Sequence, residues 1–175
     1  SSAASDVYKR QRIIAAVGTA IVGYMAFSAL ALDRPKGPVV LTVSGKITQT
    51  NQDGKAVLDM AALRALPQAT FTTETAWDKR PVKFSGPLLR DVLRLLESSG
   101  TELKAVAVND YAVTIPADDA QKFDLIIATR MNDRDIPPRT KGPLFVVYPF
   151  SSSPALKDKV YQDRSIWQLK AIEIK

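Results

Sequence analysis

The sequence predicts a single α+β domain in which short strands outnumber helices, preceded by an export segment. Short runs rich in β-branched and aromatic residues alternate with turn residues along most of the chain. Helical spacing of apolar residues is confined to a few short stretches. No internal repeat or domain boundary interrupts these segments. We therefore expect mixed, mostly-β sheets with a few short helices.

The strand predictions depend on two kinds of apolar pattern. Continuous apolar runs are typical of strands buried on both faces, and strict alternation is typical of half-buried strands. The alternating segment IWQLKAIEI near the C-terminus is the clearest case of the second kind. Strands are predicted at residues 39–47, 69–75, 82–84, 105–108, 111–115, 125–129, 144–148 and 166–174.

The helix predictions depend on end signals and apolar faces. Helices are predicted at residues 60–65, 88–98 and 116–122. Asp59 is a suitable N-cap for the first, and Pro67 prevents its continuation. Pro87 is expected in the first turn of the second, and Gly100 follows its end. The second also carries a broad leucine-rich face at helical spacing.

The N-terminal region predicts export. Residues 1–11 (SSAASDVYKRQ) match the codon-by-codon translation of a transposase-based sequencing adapter, so we expect an artefact of assembled metagenomic DNA. Residues 12–31 combine a basic residue, an uncharged apolar run and a terminal Ala-Leu-Ala, as bacterial signal peptides do. The run is also long enough to span a bilayer. We expect a periplasmic protein, with segment 12–32 either cleaved or retained as an inner-membrane anchor. Residues 32–38 are predicted as a linker and residues 39–175 as the domain.

The composition excludes several classes of chemistry. The chain has no cysteine and no histidine. Disulfides, cysteine nucleophiles and histidine bases are therefore excluded, and zinc, copper, haem and iron–sulfur sites nearly so. The net charge is +6, but no run of basic residues interleaved with aromatics indicates a nucleic-acid surface. A small anionic ligand suits the basic excess better, and a solvated basic surface is the simpler alternative.

Seven segments, taken in order, resemble the oxidoreductase molybdopterin-binding domains, the fold named after sulfite oxidase. The segments are VSGKI (43–47), LDMAALRALP (58–67), TTETAW (72–77), FSGPLLRDVL (84–93), NDYAVTIPADDA (109–120), LIIATRMNDRDIPPRTKGPLFVVYP (125–149) and RSIWQLKAIEI (164–174). The resemblance covers nearly all of the chain after the export segment. It implies a sulfite-oxidase-type fold and a pterin pocket.

One departure from this family changes the expected activity. In the enzymes, the strand corresponding to residues 69–75 leads into a loop whose cysteine thiolate binds molybdenum. Here the loop reads AWDKR (76–80), and neither Trp nor Asp replaces a soft thiolate donor. The resemblance therefore implies a pterin, reduced or molybdopterin-like, bound without molybdenum and without catalytic residues.

Three functions follow from the resemblance. Some cysteine-less relatives look like periplasmic pterin-binding regulators that work with a membrane-bound cyclic-di-GMP enzyme. We therefore expect an exported pterin-binding protein that senses a ligand for a membrane signalling partner, either a cyclic-di-GMP enzyme or a histidine kinase. The alternatives are a molybdopterin-dependent oxidoreductase, or an accessory subunit of one, and a scaffold that binds only other proteins.

Two tryptophans are candidate stacking residues, because a flat pterin ring needs an aromatic face within a shielded cleft. Trp77 lies on the loop where the enzymes place the metal ligand. Packing beneath that loop is the alternative for Trp77. Trp167 falls where the family often has a Lys-Trp pair near the cofactor. Ile166 replaces the lysine here, and core packing on an alternating strand is the alternative for Trp167.

Polar candidates come from a turn and from four cations. Asn109, Asp110 and Tyr111 flank a predicted turn, and the Asp110 carboxylate could accept two N–H bonds from the amino-pyrimidine edge of a pterin. A turn sequence chosen for its conformation is the alternative. Four cations could hold a polar side chain or a phosphate, or be ordinary surface charges. They are Arg130, Arg139, Lys141 and Arg164.

Overall fold

The computed structural model describes residues 32–175, so the predicted adapter-derived and export segments lie outside it. Within that range the chain forms twelve strands and four short α-helices, which confirms the predicted α+β class. The strands are β1 (Val39–Gly45), β2 (Ala56–Asp59), β3 (Gln68–Thr73), β4 (Val82–Pro87), β5 (Glu102–Ala107), β6 (Ala112–Pro116), β7 (Ile126–Ala128), β8 (Arg130–Met131), β9 (Arg134–Asp135), β10 (Phe145–Val147), β11 (Ile166–Trp167) and β12 (Leu169–Ile174). The helices are α1 (Met60–Ala65), α2 (Leu89–Leu95), α3 (Ala117–Lys122) and α4 (Lys159–Arg164), with 3₁₀ turns at Phe150–Ser152 and Pro154–Lys157. The α-helices among residues 32–175 have six or seven residues each, and none of them could span a bilayer.

The strands form three sheets. The largest has the order β2-β1-β12-β5-β6, and only its β1–β12 pair is parallel. A second sheet has the order β11-β10-β7, and a third has β3-β4-β8-β9. The C-terminal segment supplies β11 to the second sheet and β12 to the first. Two of the three sheets are thus joined by consecutive residues of one segment.

A single apolar core joins the three sheets and the helices. The short strands β7 and β10 are buried at every position, as their continuous apolar sequences predict. Phe84 of β4 and Phe145 of β10 are fully buried and meet edge-on, with ring centroids 5.5 Å apart. This aromatic contact packs the second sheet against the third, beside the loop that carries Trp77.

Helix α1 has the bounds that the sequence predicts. The Asp59 carboxylate caps it by accepting a hydrogen bond from the Ala62 N–H at 2.8 Å. Its other oxygen accepts from the N–H groups of Lys36 and Gly37, at 2.8 and 2.9 Å. Asp59 is therefore the last residue of β2 and the N-cap of α1, and its carboxylate also binds the segment that precedes β1.

The predicted start of helix α2 is wrong. Pro87 was expected in its first turn, but it is the last residue of β4, where it pairs with Gln68. Leu88 is the N-cap of the helix. Gly86 explains the longer strand, because a Cβ there would lie only 2.0 Å from the Ile127 carbonyl oxygen. This close backbone approach accompanies a strand that continues three residues beyond the predicted end at Phe84.

The predicted C-terminal strand is divided in two at Gln168, whose φ is +51°. The Gln168 N–H donates to the Lys141 carbonyl at 3.0 Å, and its own carbonyl accepts from the Val108 N–H at 2.9 Å. Its side chain donates to the Pro138 carbonyl at 2.8 Å. These bonds hold a left-handed residue in place where the strand changes sheets. The alternation is interrupted there, because the buried residues Ile166 and Leu169 lie three positions apart instead of two.

The capping role of Asp59 predicts a pH-dependent contribution to stability. Hydrogen bonds from the backbone, first of all from Ala62, hold the pKa of the Asp59 carboxyl below its ordinary value of about 3.8. Because the folded-state pKa is depressed, the stabilisation is complete above the unfolded value and is lost as pH falls through the folded value. We expect Asp59→Asn to lower Tm by a few degrees at pH 7, and the difference from the parent to close below about pH 4. Thermal unfolding followed by circular dichroism across pH 2–8 measures this.

Asp53 provides the control, since it is an exposed turn residue whose carboxylate accepts no hydrogen bond within residues 32–175. Asp53→Asn should leave Tm unchanged over the same pH range. A Tm difference for Asp59→Asn that persists undiminished at pH 2 would contradict the capping account.

Candidate functional site

A cavity of about 510 Å³ opens where the loop after β3, the β5–β6 turn, helix α4 and strand β11 meet. Its volume lies in the range of small-molecule sites. Three aromatic side chains line it, accompanied by neutral polar groups and one ion pair. The lining residues are Trp77, Ala107, Asn109, Tyr111, Lys159, Gln162, Asp163, Ser165, Ile166 and Trp167. Four of the nine residues proposed from the sequence therefore meet at one cavity.

The loop that carries Trp77 is fixed by its own polar side chains. The Thr75 hydroxyl accepts from the N–H groups of Trp77 and Asp78, at 3.2 and 3.0 Å, and donates to the Asp78 carboxylate at 2.8 Å. Both Asp78 oxygens accept from the Lys141 ammonium, at 2.8 and 2.7 Å. Ser151 secures the start of the loop by accepting from the Glu74 N–H at 3.0 Å. These hydrogen bonds brace the loop on both sides of Trp77.

Trp77 is half-buried and belongs to a cluster of four aromatic rings. Its ring meets Trp167 edge-on, with centroids 5.5 Å apart and an interplanar angle of 83°. Phe145 and Phe150 lie 5.9 and 6.0 Å from the Trp77 centroid. The Phe residues are buried core, whereas Trp167 keeps 37% of its surface exposed. The two tryptophans therefore pack on the core and also line the cavity, and their stacking on a ligand stays a prediction.

The β5–β6 turn brings two further predicted residues to the cavity. Asp110 has a φ of +65°, and the Asn109 side chain accepts from the Tyr111 N–H at 3.2 Å, so the turn follows the local chemistry that its sequence predicts. Asn109 and Tyr111 line the cavity, and Tyr111 is 57% exposed. Asp110 does not line it. The Asp110 carboxylate accepts instead from Lys170 at 2.6 Å, and this hydrogen bond and charge hold its pKa below the ordinary value.

The four predicted cations lie outside the cavity lining. Arg130 pairs with Asp135 at 3.3 Å, and Lys141 pairs with Asp78 beneath the Trp77 loop. Arg164 faces away from the cavity, towards Asp119. Arg139 is exposed and forms no ion pair within residues 32–175. Three of the four are thus paired with carboxylates of this chain. Lys141 binds the loop that carries Trp77, and Arg164 is the last residue of helix α4, so both contacts involve elements that form the cavity.

Helix α4 forms a wall of the cavity that the sequence analysis missed. Lys159, Gln162 and Asp163 reach the cavity from this helix, and Ser165 follows its end. The segment KVYQDR lacks an apolar stripe, so periodicity gives no signal for it. Asp158 was the available signal, because its carboxylate caps the helix by accepting from the Val160 N–H at 3.0 Å.

A buried carboxylate holds α4 in place. Asp119 of α3 accepts from the Tyr148 hydroxyl at 2.7 Å and from Arg164 at 2.8 Å. Burial, reinforced by the bond to Asp119, raises the pKa of Tyr148 well above its ordinary value, so the hydroxyl stays a donor at all ordinary pH. The Arg164 guanidinium also lies 5.7 Å from the centre of the Tyr161 ring. The network joins α3, the end of β10 and α4.

The donor chemistry of this site does not suit molybdenum. The chain has no cysteine, and no cluster of three or more His, Cys, Asp and Glu side chains in the described part could hold a metal ion. The Trp77 loop has two carboxylates: Asp78 is bound to Lys141 through both oxygens, and Glu74 lies 3.9 Å from the Lys157 ammonium. A planar organic ring fits better, because aromatic faces and amide groups line the cavity.

Fold and site together define an α+β domain with one preformed aromatic cavity and no metal-binding cluster among its described residues. The family of oxidoreductase molybdopterin-binding domains matches residues 40–153, more than half of the chain. The chain belongs to this family, as a member without cysteine. No curated protein matches it significantly.

The buried hydroxyl of Tyr148 gives a stability prediction. Tyr148→Phe removes the donor to Asp119 and leaves a buried carboxylate oxygen without that partner. Since hydrogen bonds to charged groups contribute about 1.5–3 kcal/mol, we expect the free energy of unfolding to fall by about that amount. Urea unfolding at pH 7, followed by fluorescence, measures it.

Tyr161→Phe is the matched control, because Tyr161 belongs to the same aromatic cluster while its hydroxyl has no hydrogen-bond partner within residues 32–175. It should change the free energy of unfolding by less than about 0.5 kcal/mol. Equal losses for the two variants would show that ring packing, and not the bond to Asp119, is what Tyr148 supplies.

Proposed function

We propose that this chain is an exported, non-catalytic pterin-binding protein that binds a pterin without molybdenum and reports it to a membrane signalling partner. One observation carries the proposal. The loop that corresponds to the metal-binding loop of the enzymes presents Trp77, and Trp77 faces a cavity together with Trp167 and Tyr111.

The cavity supports a flat, hydrogen-bonding ligand. Tryptophan and tyrosine faces stack on planar rings, and stacking geometry is favourable at centroid separations of about 4.5–7 Å. Asn109, Gln162 and Ser165 surround these rings with amide and hydroxyl groups that can donate and accept. A pterin carries donors and acceptors along one edge of a bicyclic ring, so it uses both kinds of group. The pterin ring is the part of molybdopterin that a protein can bind without supplying a ligand to the metal.

The same residues argue against catalysis. Oxygen-atom transfer in this family is the work of molybdenum, which a protein thiolate holds, and this chain supplies none. None of the aromatic and neutral groups of the cavity is a base or a nucleophile with an obvious role. Asp163, its only carboxylate in the described range, is paired with Lys159. The residues of the cavity therefore support ligand binding better than they support catalysis.

Export and the partner follow from the N-terminal sequence and the family resemblance. Segment 12–32 has the composition of a signal peptide or membrane anchor, which suits a periplasmic location. A pterin-binding protein there needs a membrane protein to pass its signal inward, and a cyclic-di-GMP enzyme or a histidine kinase has that capacity. A gene for either beside this one supports the proposal. A neighbouring haem-bearing membrane subunit would favour an electron-transfer enzyme instead.

Pterin binding predicts a thermal shift that depends on Trp77. A ligand at a hundredfold excess over its Kd stabilises the folded state by about 2.7 kcal/mol, which raises Tm by several degrees for a domain of this size. We expect oxidised or reduced pterin to produce such a shift in the purified protein. Trp77→Ala should abolish the shift, because it removes the stacking face, and Trp77→Phe should retain part of it.

Arg139→Ala is the control, since Arg139 lies outside the cavity lining; its Tm shift should equal that of the parent. Elemental analysis of protein from a molybdenum-replete host completes the test. Stoichiometric molybdenum would overturn the proposal and favour an oxidoreductase. A folded protein whose Tm no pterin changes would leave a scaffold for other proteins.

A further inference from the structure

The carboxylate that lines the cavity is not the one that the sequence singled out. Asp110 pairs with Lys170 and does not line the cavity. Among the described lining residues, Asp163 is the only carboxylate and Lys159 the only cation. Since the other polar members are neutral, Asp163 is the one group there that can accept two hydrogen bonds while carrying a full negative charge.

Helix α4 holds Asp163 towards the cavity. The next residue, Arg164, donates to buried Asp119 at 2.8 Å, which fixes the rotation of the helix about its axis. Successive helical side chains diverge by about 100°, so anchoring Arg164 in the interior turns Asp163 away from it. The side chain of Asp163 is 58% exposed, which leaves its oxygens accessible to a ligand.

In this structure the Asp163 carboxylate forms an ion pair with Lys159. The ammonium donates to both carboxylate oxygens, at 2.5 and 2.6 Å. The pair is an exposed i,i+4 pair on one helix, and pairs of this kind contribute little to stability. A ligand that offers two N–H groups can therefore displace the ammonium at little cost.

The two-donor edge of a pterin matches this carboxylate. In its 2-amino-4-oxo form, the ring presents an amino N–H and the N3–H side by side, and a carboxylate accepts both in parallel. We propose that Asp163 recognises the 2-amino-pyrimidinone edge of the ligand and determines that the cavity takes 2-aminopteridines in preference to 2-oxopteridines. This inference rests on the proposed pterin binding and adds the residue that reads the ring.

The inference is tested by changing one side chain of the protein and one group of the ligand, and by measuring each combination. Lumazine replaces the 2-amino group of pterin with a carbonyl, so its edge presents one donor and one acceptor. An asparagine amide also presents one donor and one acceptor, which complements that edge. We expect the parent protein to bind pterin roughly tenfold or more tighter than lumazine, and Asp163→Asn to lose or reverse that preference. Fluorescence titration of the full-length protein with each compound measures both affinities.

Asp118→Asn is the matched control. Asp118 forms an exposed i,i+4 pair with Lys122 on α3, outside the cavity lining, so its variant should keep the parent's preference for pterin. Lys159→Gln is the second variant, because it removes the competing ammonium and should bind pterin at least as tightly as the parent. A large loss of affinity there would mean that Lys159 holds the ligand, and would overturn the inference.

Two outcomes separate this inference from the proposed function. If the parent binds pterin and Asp163→Asn keeps the same preference over lumazine, Asp163 does not read the ring, while pterin binding stands. If the parent binds neither compound in oxidised or reduced form, the proposed function fails and this inference fails with it.

Discussion

The left-handed residue Gln168 is the constraint on which the geometry of the site depends. Its backbone bonds to Lys141 and Val108, and its side chain bonds to Pro138. Two of these contacts reach elements that border the cavity: Lys141 bonds to Asp78 of the Trp77 loop, and Val108 precedes the turn with Asn109 and Tyr111. The preceding residue is Trp167 itself. One left-handed residue, held by three hydrogen bonds, therefore ties the strand that carries Trp167 to the β5–β6 turn and to the segment around Lys141.

Local signals predicted the parts of the fold that local chemistry decides. Helix α1 has its predicted bounds because Asp59 can cap it and Pro67 prevents its continuation, and both effects act within a few residues. The buried strands β7 and β10 follow from continuous apolar sequence alone. The start of α2 was predicted wrongly because Gly86 meets the backbone of Ile127, a contact that no pattern around Gly86 reveals.

Helix α4 was missed for a related reason, and the omission explains the incomplete prediction of the site. Its sequence gives a cap at Asp158 but no apolar stripe, and its last residue, Arg164, bonds to Asp119, 45 residues away. Two of the candidate cations, Lys141 and Arg164, are likewise bound by carboxylates far away in the sequence. Lys141 is taken by Asp78, 63 residues away, and Arg164 by Asp119. Sequence reasoning identified which cations were available but not which carboxylates would neutralise them.

The aromatic candidates meet at one cavity and the charged ones do not, because of how the two kinds of side chain find partners. A half-buried tryptophan has to pack against apolar neighbours, and in a small domain those neighbours belong to the one core, so Trp77 and Trp167 meet over Phe145. A cation is satisfied by any carboxylate within reach. The cysteine-less loop places Trp77 in this aromatic cluster, and hydrogen bonds among Thr75, Asp78 and Lys141 hold the loop. The aromatic lining of the cavity is therefore held by the core packing of Trp77 and Trp167 and by the hydrogen bonds of the Trp77 loop.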